Sequence, residues 1–102
     1  MRKIETEMQN ALRNRVNWSK SNTTVFNDNE GNQFVTLHGN LIAKISNFGD
    51  IELSSCGWQT NTTKSRLNAI LDTFLHGLSV YQKNFEWYIG GDDFFDGYTI
   101  HR

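Results

Sequence analysis

The chain has no proline among its 102 residues and a single cysteine, Cys56. Without proline there are no proline-rich linkers or collagen-like repeats, and eight glycines are too few for a low-complexity tail. One thiol can neither close an internal disulfide nor build a cysteine-rich zinc site, which fits a reducing, intracellular setting. An excess of either charge is missing as well: ten basic and eleven acidic side chains leave a formal charge of −1. That balance removes the general attraction for nucleic acid that a strongly basic domain carries. No stretch approaches the roughly 18 apolar residues of a membrane-spanning helix, and the polar start MRKIETEMQN is unlike a secretory signal. The expectation is a cytoplasmic protein with no membrane contact.

What is present is enough for one modest core. Hydrophobic residues make up 37% and aromatic residues 13% of a chain too short for two cores, so residues 1–102 are expected to form a single domain. Ile4, Met8, Ala11 and Leu12 recur at helical spacing and predict a helix from Arg2 to Arg15. Asn14, Asn17, Ser19, Ser21 and Asn22 compete for backbone hydrogen bonds and predict a loop that carries Trp18. The runs TTVFN, QFVTLH, LIAKIS and IELSS, each bounded by turn chemistry, then predict a four-strand antiparallel meander, with a two-residue hairpin turn at Gly39-Asn40.

A second helix is predicted from Thr62 to Leu75, since Leu67, Ile70, Leu71, Phe74 and Leu75 fall on one face and Gly77 can end it in the left-handed conformation. LSVYQKN and FEWYIG read as two closing strands, followed by the acidic glycine turn GGDDFFDG and a terminal YTIHR. The order is α-β-β-β-β-α-β-β without internal repeats. It predicts an α+β fold in which a meander plus C-terminal strands form an antiparallel sheet, with the N-terminal and central helices packed on one face. Exposed edge strands of such a sheet could pair in a homodimer.

The residues that could carry chemistry do not assemble into a catalytic set. Nucleophilic catalysis needs a Ser, Thr or Cys beside an oriented base, whereas His38, His76 and His101 fall in a hairpin, at a helix end and near the C-terminus. Cys56, before a glycine, reads as a small buried filler, and the expectation is that the protein is not an enzyme. Asp92, Asp93 and Asp96 do not follow the EF-hand ligand series, so no metal is expected. The stretch from Gly57 to Arg66 lacks the spacing of a phosphate-binding Walker A loop, and no cofactor is expected. With Trp58 read as a core residue, this stretch is a heavily capped helix start. An anion could meet its amino terminus beside Lys64 and Arg66.

Charge is unevenly distributed, with five basic against two acidic residues over positions 1–20, and four acidic residues without a base over positions 84–98. The first region interleaves Arg13 and Arg15 with Trp18 and Lys20, a composition suited to backbone contact and base stacking in nucleic acid. The second, Asp92, Asp93, Phe94, Phe95 and Asp96, combines carboxylates with apolar anchors, as a surface meeting a basic partner would.

The run Leu37-His38-Gly39-Asn40-Leu41-Ile42-Ala43-Lys44-Ile45, followed by Gly57-Trp58-Gln59-Thr60-Asn61-Thr62-Thr63 and the helix through Leu71, resembles small proteins encoded by tailed bacteriophages. In those relatives a hairpin of type LHGNxIA precedes a helix start of type GWxTxTTxxRLN, and the likeness covers roughly residues 20–90. It implies an accessory protein made in an infected bacterial cytoplasm and carries over no site residue. The functional expectation is binding to a host or defence protein, which the chain would inhibit or modulate. The alternative is a small nucleic-acid-binding protein.

Overall fold

The computed structural model describes residues 2–102. Helix α1 spans Lys3–Asn14, with the Glu5 carboxylate accepting from the Arg2 N–H at 3.4 Å. It ends where Arg15 turns left-handed (φ 53°), letting Val16 N–H reach the Ala11 carbonyl at 3.1 Å. Met8, Ala11 and Leu12 are its buried stripe.

The segment predicted as a loop contains a short edge strand instead. β1, Trp18–Lys20, pairs antiparallel with β2, Thr23–Asn27, across a turn in which Ser21 takes a positive φ of 55°. Asparagine and serine supply that turn, and Trp18, opposite Val25, packs partly onto the core. β3 (Gln33–Leu37), β4 (Asn40–Ile45) and β5 (Ile51–Leu53) complete the predicted meander. Its register sends Val25, Val35, Ala43 and Leu53 to the core face. The outer row runs Phe26, Phe34, Lys44 and Glu52. A bulge in β4 leaves Ile42 without a partner between Ala43↔Val35 and Leu41↔Thr36, so the consecutive residues Ile42 and Ala43 are both buried.

The β3–β4 turn lies one residue earlier than predicted, at His38-Gly39, because both take positive φ (52° and 80°) and Leu37 pairs with Asn40. Helix α2, Asn61–Phe74, is capped by the Thr60 hydroxyl, which accepts from Thr63 N–H at 3.1 Å. It stops at an extended Leu75 (φ −139°), ahead of the glycine predicted to end it. Leu67, Ile70 and Leu71 bury its inner face.

The closing strands depart from a single sheet. β6 (Val80–Lys83), β7 (Glu86–Ile89) and the two-residue β8 (Asp92–Asp93) form a separate three-strand sheet, while β9 (Tyr98–Ile100) pairs with β5 and completes a six-strand sheet. Asn68 on α2 explains the division. Its side-chain amide accepts from Val80 N–H at 2.6 Å and donates to the Val80 carbonyl at 3.0 Å, so β6 starts against the helix and not against the meander. α1 and α2 pack against the core side of the large sheet, and the small sheet adds Val80, Trp87 and Ile89 to the same hydrophobic cluster.

One buried ion pair joins the helices. The Arg66 guanidinium donates to Glu5 Oε2 at 2.7 Å and to Thr23 Oγ1 at 3.0 Å, and the Ser65 hydroxyl donates to the same carboxylate oxygen at 2.6 Å. Both charged side chains are almost wholly out of water, so the hydrogen bonds around them are a condition of folding.

Candidate functional site

The turn between β6 and β7 places a large apolar side chain in water. Lys83 pairs with Glu86, leaving Asn84 and Phe85 as central residues with φ of 53° and 67°. This is the geometry of the two-residue hairpin that favours Asn-Gly, with phenylalanine where glycine is preferred. An L-residue there is held against a steric cost of about 1–2 kcal/mol. The Phe85 ring recovers little of it by packing, because the residue is 93% exposed.

Behind this tip the outer face of the small sheet carries two tyrosines, with Lys83 opposite Glu86. Tyr81 and Tyr88 are directly opposed and stack at 5.6 Å, and Asp93 lies across from Tyr88 on β8. Glu86 accepts from the Tyr88 hydroxyl at 2.9 Å, and this hydrogen bond raises the phenol above its ordinary pKa. The inner face holds the sheet down: Trp87 packs on Phe94 at 5.9 Å, and the Lys64 ammonium sits 6.0 Å from the Trp87 ring centre.

The acidic segment read from the sequence as one patch divides by direction. Asp92 and Asp93 are exposed, and Asp92 accepts from the Tyr98 hydroxyl at 2.8 Å. Phe94 is buried against Trp87 and Tyr98, so it is a core residue and not an anchor for a partner. Phe95 is 59% exposed. Asp96 is exposed, but its carboxylate is committed to the chain itself, accepting from both the backbone N–H and the hydroxyl of Ser55 at 2.8 Å. Partial burial pushes its carboxyl up, but donors on Ser55, Gly57 and Ser54 outweigh that and hold it below the ordinary carboxylate value.

A second feature lies where the β3–β4 turn meets the loop before α2. A cavity of about 480 Å³ opens there, floored by Leu37 and Ile42 and lined by His38, Asn40, Thr62 and Trp58. The two sequence motifs that carry the bacteriophage resemblance thus meet around one space. Trp58, expected in the core, is 63% exposed. Its loop is nevertheless braced, since Cys56 Sγ donates to the Leu41 carbonyl at 2.9 Å, Ser54 N–H to the Ile42 carbonyl at 2.8 Å, and Trp58 N–H to the Ser55 carbonyl at 2.9 Å. Those bonds fix its position relative to the β3–β4 hairpin. Cys56 is accordingly a half-buried hydrogen-bonding residue, not the buried filler expected.

Among the residues proposed from sequence for nucleic acid, Arg66 and Lys64 are engaged within the protein. Arg66 is internal and bound to Glu5, which takes it out of any anion contact at the start of α2. Lys64 turns to Trp87. Lys20 pairs with Glu7 at 2.9 Å, Arg15 donates to the Gly31 carbonyl at 3.1 Å, and Trp18 is half-buried, leaving Arg13 exposed in the last turn of α1. Among the described residues no helix is long and apolar enough to cross a membrane.

These features define a small α+β protein that presents aromatic side chains on rigid turns around a closed core. Residues 1–101 match the family model described as Kyanoviridae Gp96 protein, and the chain belongs to that family of bacteriophage proteins. No curated protein and no solved structure matches it.

Proposed function

We propose that the protein is a phage accessory protein that works by binding, inhibiting or modulating a host or defence protein in the infected bacterial cytoplasm, and that the β6–β7 hairpin is its contact surface. The observation that carries this reading is Phe85, a fully hydrated aromatic ring held in a left-handed backbone conformation that glycine would adopt without strain. Strain that the fold does not use belongs at sites of function. An exposed aromatic on a short, rigid turn is a typical anchor for a pocket on a partner.

Tyr81 and Tyr88 extend the apolar area behind the anchor, and the carboxylates of Glu86 and Asp93 lie on the same face, with Lys83 opposite Glu86. The partner surface that fits is therefore a hydrophobic pocket bordered by lysine or arginine. The commitment of Arg66 to Glu5 and of Lys64 to Trp87 favours this over nucleic-acid binding.

The test is capture from host lysate with the tagged wild-type chain and the Phe85→Ala variant, each with and without nuclease. A stoichiometric partner that survives nuclease and is lost with Phe85→Ala supports the reading. A partner retained equally by both proteins removes the hairpin from the interface, and recovery abolished by nuclease returns the weight to nucleic acid.

A further inference from the structure

We infer that the cavity between the β3–β4 turn and the start of α2 is a nucleobase-binding site, with the Trp58 indole as the stacking surface and Asn40 reading the edge of the base. Its volume of about 480 Å³ lies within the roughly 300–1,000 Å³ of small-molecule sites. Two flat rings reach it from two separate loops, His38 and Trp58, and the Cys56-to-Leu41 and Ser54-to-Ile42 hydrogen bonds hold those loops at a set separation. A cavity flanked by two aromatic side chains suits a planar ligand.

The chemistry of the lining narrows the class. No carboxylate, ammonium or guanidinium lines the cavity. Lys64 and Arg66, which the sequence placed nearby, are directed to Trp87 and Glu5, and Arg2, which donates to Thr62 Oγ1 at 3.3 Å, is outside the lining. Recognition must therefore come from stacking and neutral hydrogen bonds. The Asn40 amide lines the cavity and offers both a donor and an acceptor for a base edge. Base stacking on an aromatic side chain contributes about 1–3 kcal/mol, corresponding to roughly a 5- to 150-fold loss of affinity when the ring is removed. The base can come from a free nucleoside or nucleotide, or from an unpaired position of a single strand.

The test uses the full chain and amide chemical-shift mapping during titration with the four ribonucleosides, their monophosphates, a short single-stranded oligonucleotide and glucose. The expected result is saturable shifts confined to residues 37–42 and 54–63, with a nucleoside and its monophosphate agreeing within a few-fold. Trp58→Ala should weaken binding at least about 5-fold, Trp58→Phe should retain most of it, and Asn40→Ala should alter the preference among bases. Trp58 is largely exposed, so its variants keep the wild-type spectrum elsewhere. Much tighter binding of the oligonucleotide, still dependent on Trp58, identifies a single strand as the source of the base. Absence of saturation at concentrations on the order of 10 mM, shifts unaffected by Trp58→Ala, or equal response to glucose overturns the assignment. Phe85→Ala leaves this binding intact, so the outcome is independent of the hairpin reading.

Discussion

Replacing Phe85 by glycine should stabilise the protein while removing its contact with a partner. With φ at 67°, Phe85 carries the left-handed penalty of about 1–2 kcal/mol, which glycine does not. Two terms oppose the gain. Glycine adds backbone freedom to the unfolded chain, worth about 0.5–1 kcal/mol. At 93% exposure the ring also covers only a small apolar area, worth about 0.3 kcal/mol at 25 cal/mol per Å². The net is a gain of about 0.5 kcal/mol, or roughly 2–4 °C in Tm for a domain of this size. Phe85→Ala keeps the left-handed cost and should leave Tm within about 1 °C of wild type. Differential scanning calorimetry reads the stabilities and the lysate capture reads the contact. A Tm several degrees below wild type for Phe85→Gly would mean that the ring packs or that the turn is not strained. Undiminished capture by both variants would separate the strain from function.

Arg66→Leu should cost about 3–5 kcal/mol in urea unfolding because it strands the buried Glu5 carboxylate, and Glu5→Leu/Arg66→Leu should recover a large part of that loss; a cost below about 1 kcal/mol for the single change contradicts the buried pair. Asn68→Ala removes both bonds to Val80 and should cost about 2 kcal/mol, with amide exchange in β6 and β7 accelerating before that of the meander; uniform acceleration would mean that the small sheet has no separate attachment. The Asp96 carboxyl is depressed in the folded state, so its contribution is present above the ordinary carboxylate value near 3.8 and is lost as pH falls through the lower folded value. Asp96→Asn should therefore be less stable than wild type at neutral pH and approach it in strong acid. A stability gap that does not narrow on acidification refutes the role given to the carboxylate.

The helices and the meander were legible because each rests on a periodic pattern that tertiary packing then follows. Met8, Ala11 and Leu12 mark the α1 stripe, and Leu67, Ile70 and Leu71 mark that of α2. What was missed has local causes. Positive φ at Ser21, His38 and Phe85 is adopted by residues that do not advertise it, so the sequence pattern predicts a loop where β1 forms, a β3–β4 turn one residue late, and a strand at Phe85. The separate small sheet depends on one asparagine, Asn68, reaching a backbone twelve residues away. Side-chain direction was equally hidden. Nothing in Asp92-Asp93-Phe94-Phe95-Asp96 distinguishes the buried phenylalanine from the exposed one, and nothing around Arg66 announces that Glu5 lies sixty-one positions earlier on the neighbouring helix. The pair of motifs at residues 37–45 and 57–71 was visible, but their convergence on one cavity follows only from the fold.

The segment from Phe94 to Asp96 gives both exposed aromatic features their rigidity. Phe94 ties the small sheet to the core through Trp87, which lies two positions beyond Phe85, so the hairpin that presents the ring is anchored close to its tip. Two residues after Phe94, Asp96 takes two donors from Ser55 and thereby braces the loop that presents Trp58. Each ring is carried by a turn that packing or hydrogen bonds tie to the rest of the fold. Ordering a loop or a rotamer-rich side chain on association costs about 0.5–1.5 kcal/mol per group, and here that cost is met during folding. For a chain of 102 residues, whose surface offers little area to a partner, such preorganisation is the available route to useful affinity. Carboxylates and aromatics are mixed in this stretch because the same short sequence supplies the brace, the core contact and the exposed face.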